Sequence, residues 1–369
     1  MKKLLSLILT ILLMLTLFPV VAMAASSAGT YSDLQGAISG ATDGVATTVT
    51  LSADIADMTA YLSIPAGKNI VIELNGHSID RNLSTAAVDG CVIKVASGST
   101  LTVQDTVGGG MITGGNNSGF GGGIYNAGTL YLSGGSVSAN TGAGFGGGIY
   151  NAGSFTMSGG MISYNKVLVS DGHGEGGGVY NCIGAVFTLS CRDSALAMGL
   201  SGIINQNTAV DGGGVYNAGT FALSGGRVKA NTSTRNDSTN NLATVNPVQI
   251  IDKLATGTDI RFELIADTSG ISAAAGAVTV DYQTGNPGAE VNTYFTYDGA
   301  NNYTAELQKG EIALTKTGDE PTPIPDPVPH IPSLWQRIQI VLDWIRHIRQ
   351  KIQEIYNILR HLPELLKSL

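Results

Sequence analysis

The sequence predicts an all-β protein, a parallel β-helix solenoid, and three observations carry that prediction. A unit of the form Gly-Gly-Gly-Ile/Val-Tyr-Asn recurs four times between residues 121 and 217. Around it run three short segments of alternating apolar residues, each ended by Gly or Asn. Glycine is abundant, 50 of 369 residues, while only 13% are charged, which suits many tight turns between short strands. Glycine falls far short of every third position, so collagen is excluded. The 43% hydrophobic content supplies enough apolar surface for a core and argues against a disordered chain. With 28 acids against 20 bases and a net charge of −8, a nucleic-acid-binding body is not expected.

Taken in chain order, Lys2 and Lys3 precede an apolar run over residues 4–21, and Ala22-Met23-Ala24 supplies the small residues of a signal-peptidase site. Residues 1–24 are therefore expected to be an export signal cleaved after Ala24. An uncleaved membrane anchor is the alternative, since the run is near the lower limit for spanning a bilayer. Leu34, Ile38 and Ala41 have helical spacing, with Ser32 as the expected N-cap. A short helix there would cover the open end of the solenoid, which would otherwise be an adhesive sheet edge. Degenerate coils follow at 64–79, 92–95 and 100–105, where apolar residues again alternate.

The repeat proper steps from Tyr125 to Tyr150, Tyr180 and Tyr216. Seven residues after Asn126, Asn151 and Asn217 comes Ser-Gly-Gly, at Ser133, Ser158 and Ser224, and the units end at Asn140, Asn165, Asn207 and Asn231. Three strands of three to five residues per unit make one coil, with Ile124, Leu130, Leu132 and Val137 pointing inward. The two longer steps are expected to be insertions at one corner, before the Gly triplet. Strict alternation turns each repeat Tyr outward and each repeat Asn inward, where its amide can satisfy turn backbone and the next Asn.

These motifs resemble a family, the secreted right-handed parallel β-helix proteins of bacteria, pectin-lyase-like in fold. The resemblance spans roughly residues 30–315 and rests on Leu-Asn-Gly-His-Ser-Ile at 74–79, the Gly-Gly-Gly-Ile/Val-Tyr-Asn-Ala-Gly units, and Tyr294-Phe295-Thr296-Tyr297-Asp298. The last of these, with Gly310-Glu311-Ile312-Ala313-Leu314, looks like a final coil and cap. The Gly-Asn repeats are also similar to those of polymorphic outer-membrane adhesins. The resemblance implies a secreted or cell-surface protein.

The repeat domain is assigned to 25–317. Residues 318–332 form a Pro-rich linker, extended and semi-rigid. Residues 333–369 follow as an amphipathic C-terminal α-helix with a 4-3 apolar stripe from Leu334 to Leu362. Ile at both core positions favours self-association as a coiled coil. Trp344 and the basic excess on the polar face suit envelope attachment, and packing back on the solenoid is a third reading.

Chemistry is sparse. Asp171, His173 and Glu175 are the one local cluster of titratable groups and the only candidate catalytic residues. Gly172-His173-Gly174 and Arg227-Val228-Lys229 look like fragments of a polygalacturonase signature, but the carboxylates that inverting hydrolysis needs are missing beside them. Arg227 sits in the repeat slot of Ser136 and Met161, and His77 is read as a turn residue. Tyr125, Tyr150, Tyr180 and Tyr216 form a ladder that sets register, with a carbohydrate-binding strip as its functional alternative. Of Cys91, Cys182 and Cys191, the pair Cys182 and Cys191 is the candidate disulfide. No spacing suggests zinc and no cofactor is expected. The leading expectation is an exported non-catalytic adhesin or scaffold that binds a glycan or cell-surface ligand. A polysaccharide-active enzyme and a factor with a membrane-active tail are the alternatives.

Overall fold

A computed structural model of the chain describes residues 24–168, 174–190, 202–234, 241–262, 278–297 and 303–316. The expected export signal, apart from Ala24, the Pro-rich linker and the C-terminal helix lie outside the described residues. What is described is all-β, with four long stacks of parallel strands. One repeat visits the stacks in turn: Ile124–Asn126, Thr129–Leu132, Ser136–Ser138 and Thr141–Gly142. The stacks hold seven, ten, eight and five strands in that order.

The coil thus has a fourth short side that three-strand reading of the repeat did not include. Asn116–Asn117, Thr141–Gly142, Lys166–Val167, Thr208–Ala209 and Thr232–Ser233 build it. Two-residue strands carry no detectable alternation, so periodicity could not reveal them. The insertions also occupy different corners. Between Val167 and Glu175 the chain takes eight residues where Gly142 to Phe145 takes three, as expected before a Gly triplet. The larger one lies elsewhere: Met157 to Met161 is four residues, whereas Leu189 to Ile203 is fourteen.

Registry is set by stacking like on like. Ile124, Ile149, Val179, Val215 and Leu242 pair in order up one stack, and Leu130, Phe155, Phe187 and Phe221 up the next. The three Phe rings are fully buried and stacked, with centroids 4.8 and 4.9 Å apart and nearly parallel planes. Each such side chain contributes about 1.5–3 kcal/mol through burial, and one continuous core runs from Ala28 to Leu314.

At the N-terminal end the helix Tyr31–Gly40 buries Leu34 and Ile38 in that core. Its N-cap is Thr30, whose hydroxyl accepts from the Asp33 N–H at 3.2 Å, so Ser32 stands inside the first turn. At the other end Phe295–Tyr297 is the last strand of its stack. Glu311–Lys316 does not add a coil. It pairs antiparallel with Tyr303–Gln308 and inserts Ile312 and Leu314 into the core.

The Gly triplet has a steric cause. Its first member takes φ between +59° and +70° at Gly121, Gly146, Gly176 and Gly212, a region costly for side chains. Its second lies against neighbouring backbone: a Cβ on Gly147 would stand 2.5 Å from the Lys166 carbonyl and 2.6 Å from that of Gly177.

Candidate functional site

The most strictly repeated polar residues lie inside the solenoid as two Asn ladders. Asn126 donates through Nδ2 to Oδ1 of Asn151 at 2.7 Å, Asn151 to Asn181 at 2.8 Å, Asn181 to Asn217 at 2.7 Å, and Asn217 to Thr244 Oγ1 at 3.1 Å. Each of the first three also donates to a carbonyl of the following coil, of Ser154, Val186 and Thr220. The second ladder joins Asn140, Asn165, Asn207, Asn231 and Asn241. There each Oδ1 accepts both the backbone N–H and the Nδ2 of the preceding Asn, at 2.8–3.0 Å. The residue before the first four of these Asn, namely Ala139, Tyr164, Gln206 and Ala230, has φ of 55°. Such a left-handed residue reverses the side-chain alternation and turns the next side chain inward.

Back to back with the first ladder, on the outer surface, stand the four Tyr rings. Centroids of Tyr125 and Tyr150 are 5.3 Å apart, of Tyr150 and Tyr180 5.5 Å, and of Tyr180 and Tyr216 5.4 Å, with interplanar angles of 17° or less. The row is covered on its flank by Phe120 and Phe145, at 4.9 Å from Tyr150 and 4.7 Å from Tyr180. Together with Cys182, Ala185, Ala218 and Ala243 these rings make a second hydrophobic cluster outside the main core. Tyr150, Tyr180 and Tyr216 are buried in it, and their faces lie on one another rather than open to a ligand. Tyr125, at the end of the row, is half-buried. Phe120 and Phe145 precede their Gly triplets directly, so their shared register was present in the sequence, although two occurrences made too short a pattern to recognise.

Lys94 closes the exposed end of the row. It pairs in register with Tyr125, and its Nζ lies 5.8 Å from the Tyr125 centroid and 5.0 Å from that of Tyr61. Burial opposes its charge, but a 2.9 Å hydrogen bond to Asp89 and the neighbouring Tyr61 outweigh that and raise its pKa. Beside it a groove of about 260 Å³ opens between Asp89, Lys94, Asn117, Phe120 and Tyr125. Cys91 also lines it, buried, with its thiol pushed up to about 12, chiefly by desolvation. Sequence reasoning did not mark this groove, because Lys94 and Asp89 belong to a degenerate coil without the repeat motif.

Of the candidate catalytic residues, Asp171 and His173 lie outside the described residues. Glu175 occupies the position before the third Gly triplet and bridges in parallel to Phe145 on one side and Asp211 on the other. Two acidic residues of adjacent coils thereby stand in register in one column. Among the described residues no group of three or more His, Cys, Asp or Glu could hold a metal ion. Arg227 follows Ser136, Met161 and Ile203 in one column and donates to the Gly257 carbonyl. His77 lies in the turn after Leu74, its Nδ1 3.5 Å from Asp54. Cys182 is buried in the Tyr cluster, and Cys191 lies outside the described residues. No helix among the described residues is long and apolar enough to cross a membrane.

Comparison of the chain with family models, curated proteins and solved structures finds no match. The fold assignment therefore stands on the parallel stacks and the ladders themselves.

Proposed function

We propose that this chain is an exported, non-catalytic β-helix of the right-handed, pectin-lyase-like kind, acting as a surface or secreted adhesin or scaffold for a glycan or cell-surface ligand. The observation that carries the reading is the use of its repeated positions. The Asn and Tyr of every unit hold one another in ladders, so they stiffen a rod and present no reacting group. Such a rod offers a long repetitive surface, the architecture of extended binding faces in solenoids. In this reading the helix Tyr31–Gly40 closes one end, and residues 318–369 attach or assemble the rod.

Binding of the full chain to a glycan array tests the reading, and an array without hits, together with no binding to host or bacterial cells, refutes it. Sedimentation with and without residues 318–369 tests assembly; if both forms are monomers, the tail does not mediate self-association. A second reading, a polysaccharide-active enzyme, is favoured by the adjacency of Glu175 and Asp211. Depolymerisation of any polysaccharide, abolished by Asp171→Asn, Glu175→Gln or Asp211→Asn, would establish it.

A further inference from the structure

Over five consecutive coils the outer face of the ten-stranded stack carries no charged side chain and is mostly hydroxyl-bearing; Glu73, in the coil before them, pairs in register with Gln104 and accepts its amide. The central column of the face runs Thr102, Tyr131, Thr156, Thr188 and Ala222, paired in parallel register over the five coils. Alternation turns this column away from the core, leaving Tyr131 exposed and Thr102, Thr156 and Thr188 partly exposed while Ala222 at its end is buried, and Leu130, Phe155, Phe187 and Phe221 face the core. The flanking column two residues earlier is Thr, Ser or Val throughout. Two residues later stand Gln104 and then the serines of the Ser-Gly-Gly motif, whose N–H groups continue the ladder at Ser133, Ser158 and Ser224. None of these positions in five coils holds Asp, Glu, Lys or Arg, in a chain with 48 such residues. The face runs into a groove of about 370 Å³ lined by Thr220, Asn246, Gln249 and Val280, again without a charged group.

The geometry points to a neutral, linear polysaccharide lying along the solenoid axis on this face; the inference rests on the glycan-binding reading above and names its ligand class. Coils repeat about every 4.8 Å and columns lie about 6.7 Å apart, so the five coils span about 19 Å. That pitch places about one sugar unit of an extended chain over each coil, within reach of hydroxyls that donate and accept. Tyr131, 43% exposed, supplies a ring on which a sugar face stacks. The absence of cations gives acidic glycans no counter-charge, and the absence of anions gives basic peptides none. Because the ladders hold the lattice rigid, little order is lost on binding.

The test is calorimetric titration of the full chain with cellohexaose and mannohexaose as neutral probes and a hexagalacturonate as acidic probe. Thr156→Glu and Thr188→Glu place a charge at the centre of the lattice, and Thr156→Ser keeps the hydroxyl. The expected result is binding of a neutral probe that is unchanged between low and high salt, retained by Thr156→Ser, and weakened about tenfold or more by either Glu variant at unchanged melting temperature. Neutral-probe binding that both Glu variants leave intact overturns the inference while the glycan reading stands. So does selective binding of the acidic probe. Failure of all three probes with hits elsewhere on a glycan array overturns the inference alone, and failure of the array and of binding to cells as well overturns both.

Discussion

Replacing Asn165 by Ala cuts the second ladder at its middle. The side chain accepts the Asn140 backbone N–H and Nδ2, each at 3.0 Å, and donates to the Val137 carbonyl at 2.8 Å and to Asn207 Oδ1 at 3.0 Å. Asn140 Nδ2 keeps the Ile112 and Ser138 carbonyls, and the Asn165 backbone N–H keeps Asn207. The Asn140 N–H, in a residue with no exposure, loses its ladder acceptor. Orphaning one buried donor costs about 1–3 kcal/mol, and the other lost bonds about 0.5–1.5 kcal/mol each. The expected loss is about 4 kcal/mol, a large part of the 5–15 kcal/mol typical of a folded domain. Guanidinium unfolding followed by circular dichroism measures it, with Thr156→Ala, on the outer face, as a control expected within about 0.5 kcal/mol. If the two variants unfold at the same midpoint, the ladder contributes no stability and its proposed role in stiffening the rod is wrong.

Gly147→Ala forces a Cβ into two backbone carbonyls and should cost about 3 kcal/mol, the upper end of the usual range for overpacking, in the same unfolding assay. Gly36→Ala, in the exposed helix interior with open space around it, should stabilise by up to about 1 kcal/mol. Ala139→Gly and Ala230→Gly relieve left-handed backbone at φ 55°, and each should raise stability by a few tenths to about 1 kcal/mol; loss of stability in both would show the conformation to be unstrained. The Cys91 thiol, raised from 9.0 to about 12 by burial, stays neutral in the folded chain. Stability linked to it is fully present below pH 9 and declines as pH rises toward 12, because only the unfolded thiol ionises in that window. Mass mapping at pH 8 should therefore find Cys91 unalkylated until denaturant is added.

The stacking of whole units could be read from residues 121–231 because each carries the same demand at the same position. A Gly is required where a Cβ would meet the next coil, an apolar residue where the core lies, and an Asn where buried backbone needs a partner. The inward Asn and outward Tyr followed from period-two alternation alone. That alternation did not show that the Tyr faces would be covered, because the cover comes from Phe120 and Phe145, residues brought over the row only when the coil closes. The fourth side escaped notice for a related reason: a strand of two residues has no period, and only pairing with the coils above and below defines it.

Sequence by itself determined the solenoid repeat and the inward and outward sets of residues. Those are local properties, set by side-chain size, alternation and the conformations Gly allows. Tertiary structure alone decided which outer surface is closed by stacked aromatic rings and which is an open hydroxyl lattice. It also joined Lys94 and Asp89 to the end of the Tyr row, and made the unit-ending Asn residues a second continuous ladder. The physical reason is that contacts between coils join residues some 25 or more positions apart, and a linear reading shows their likeness but not their distance.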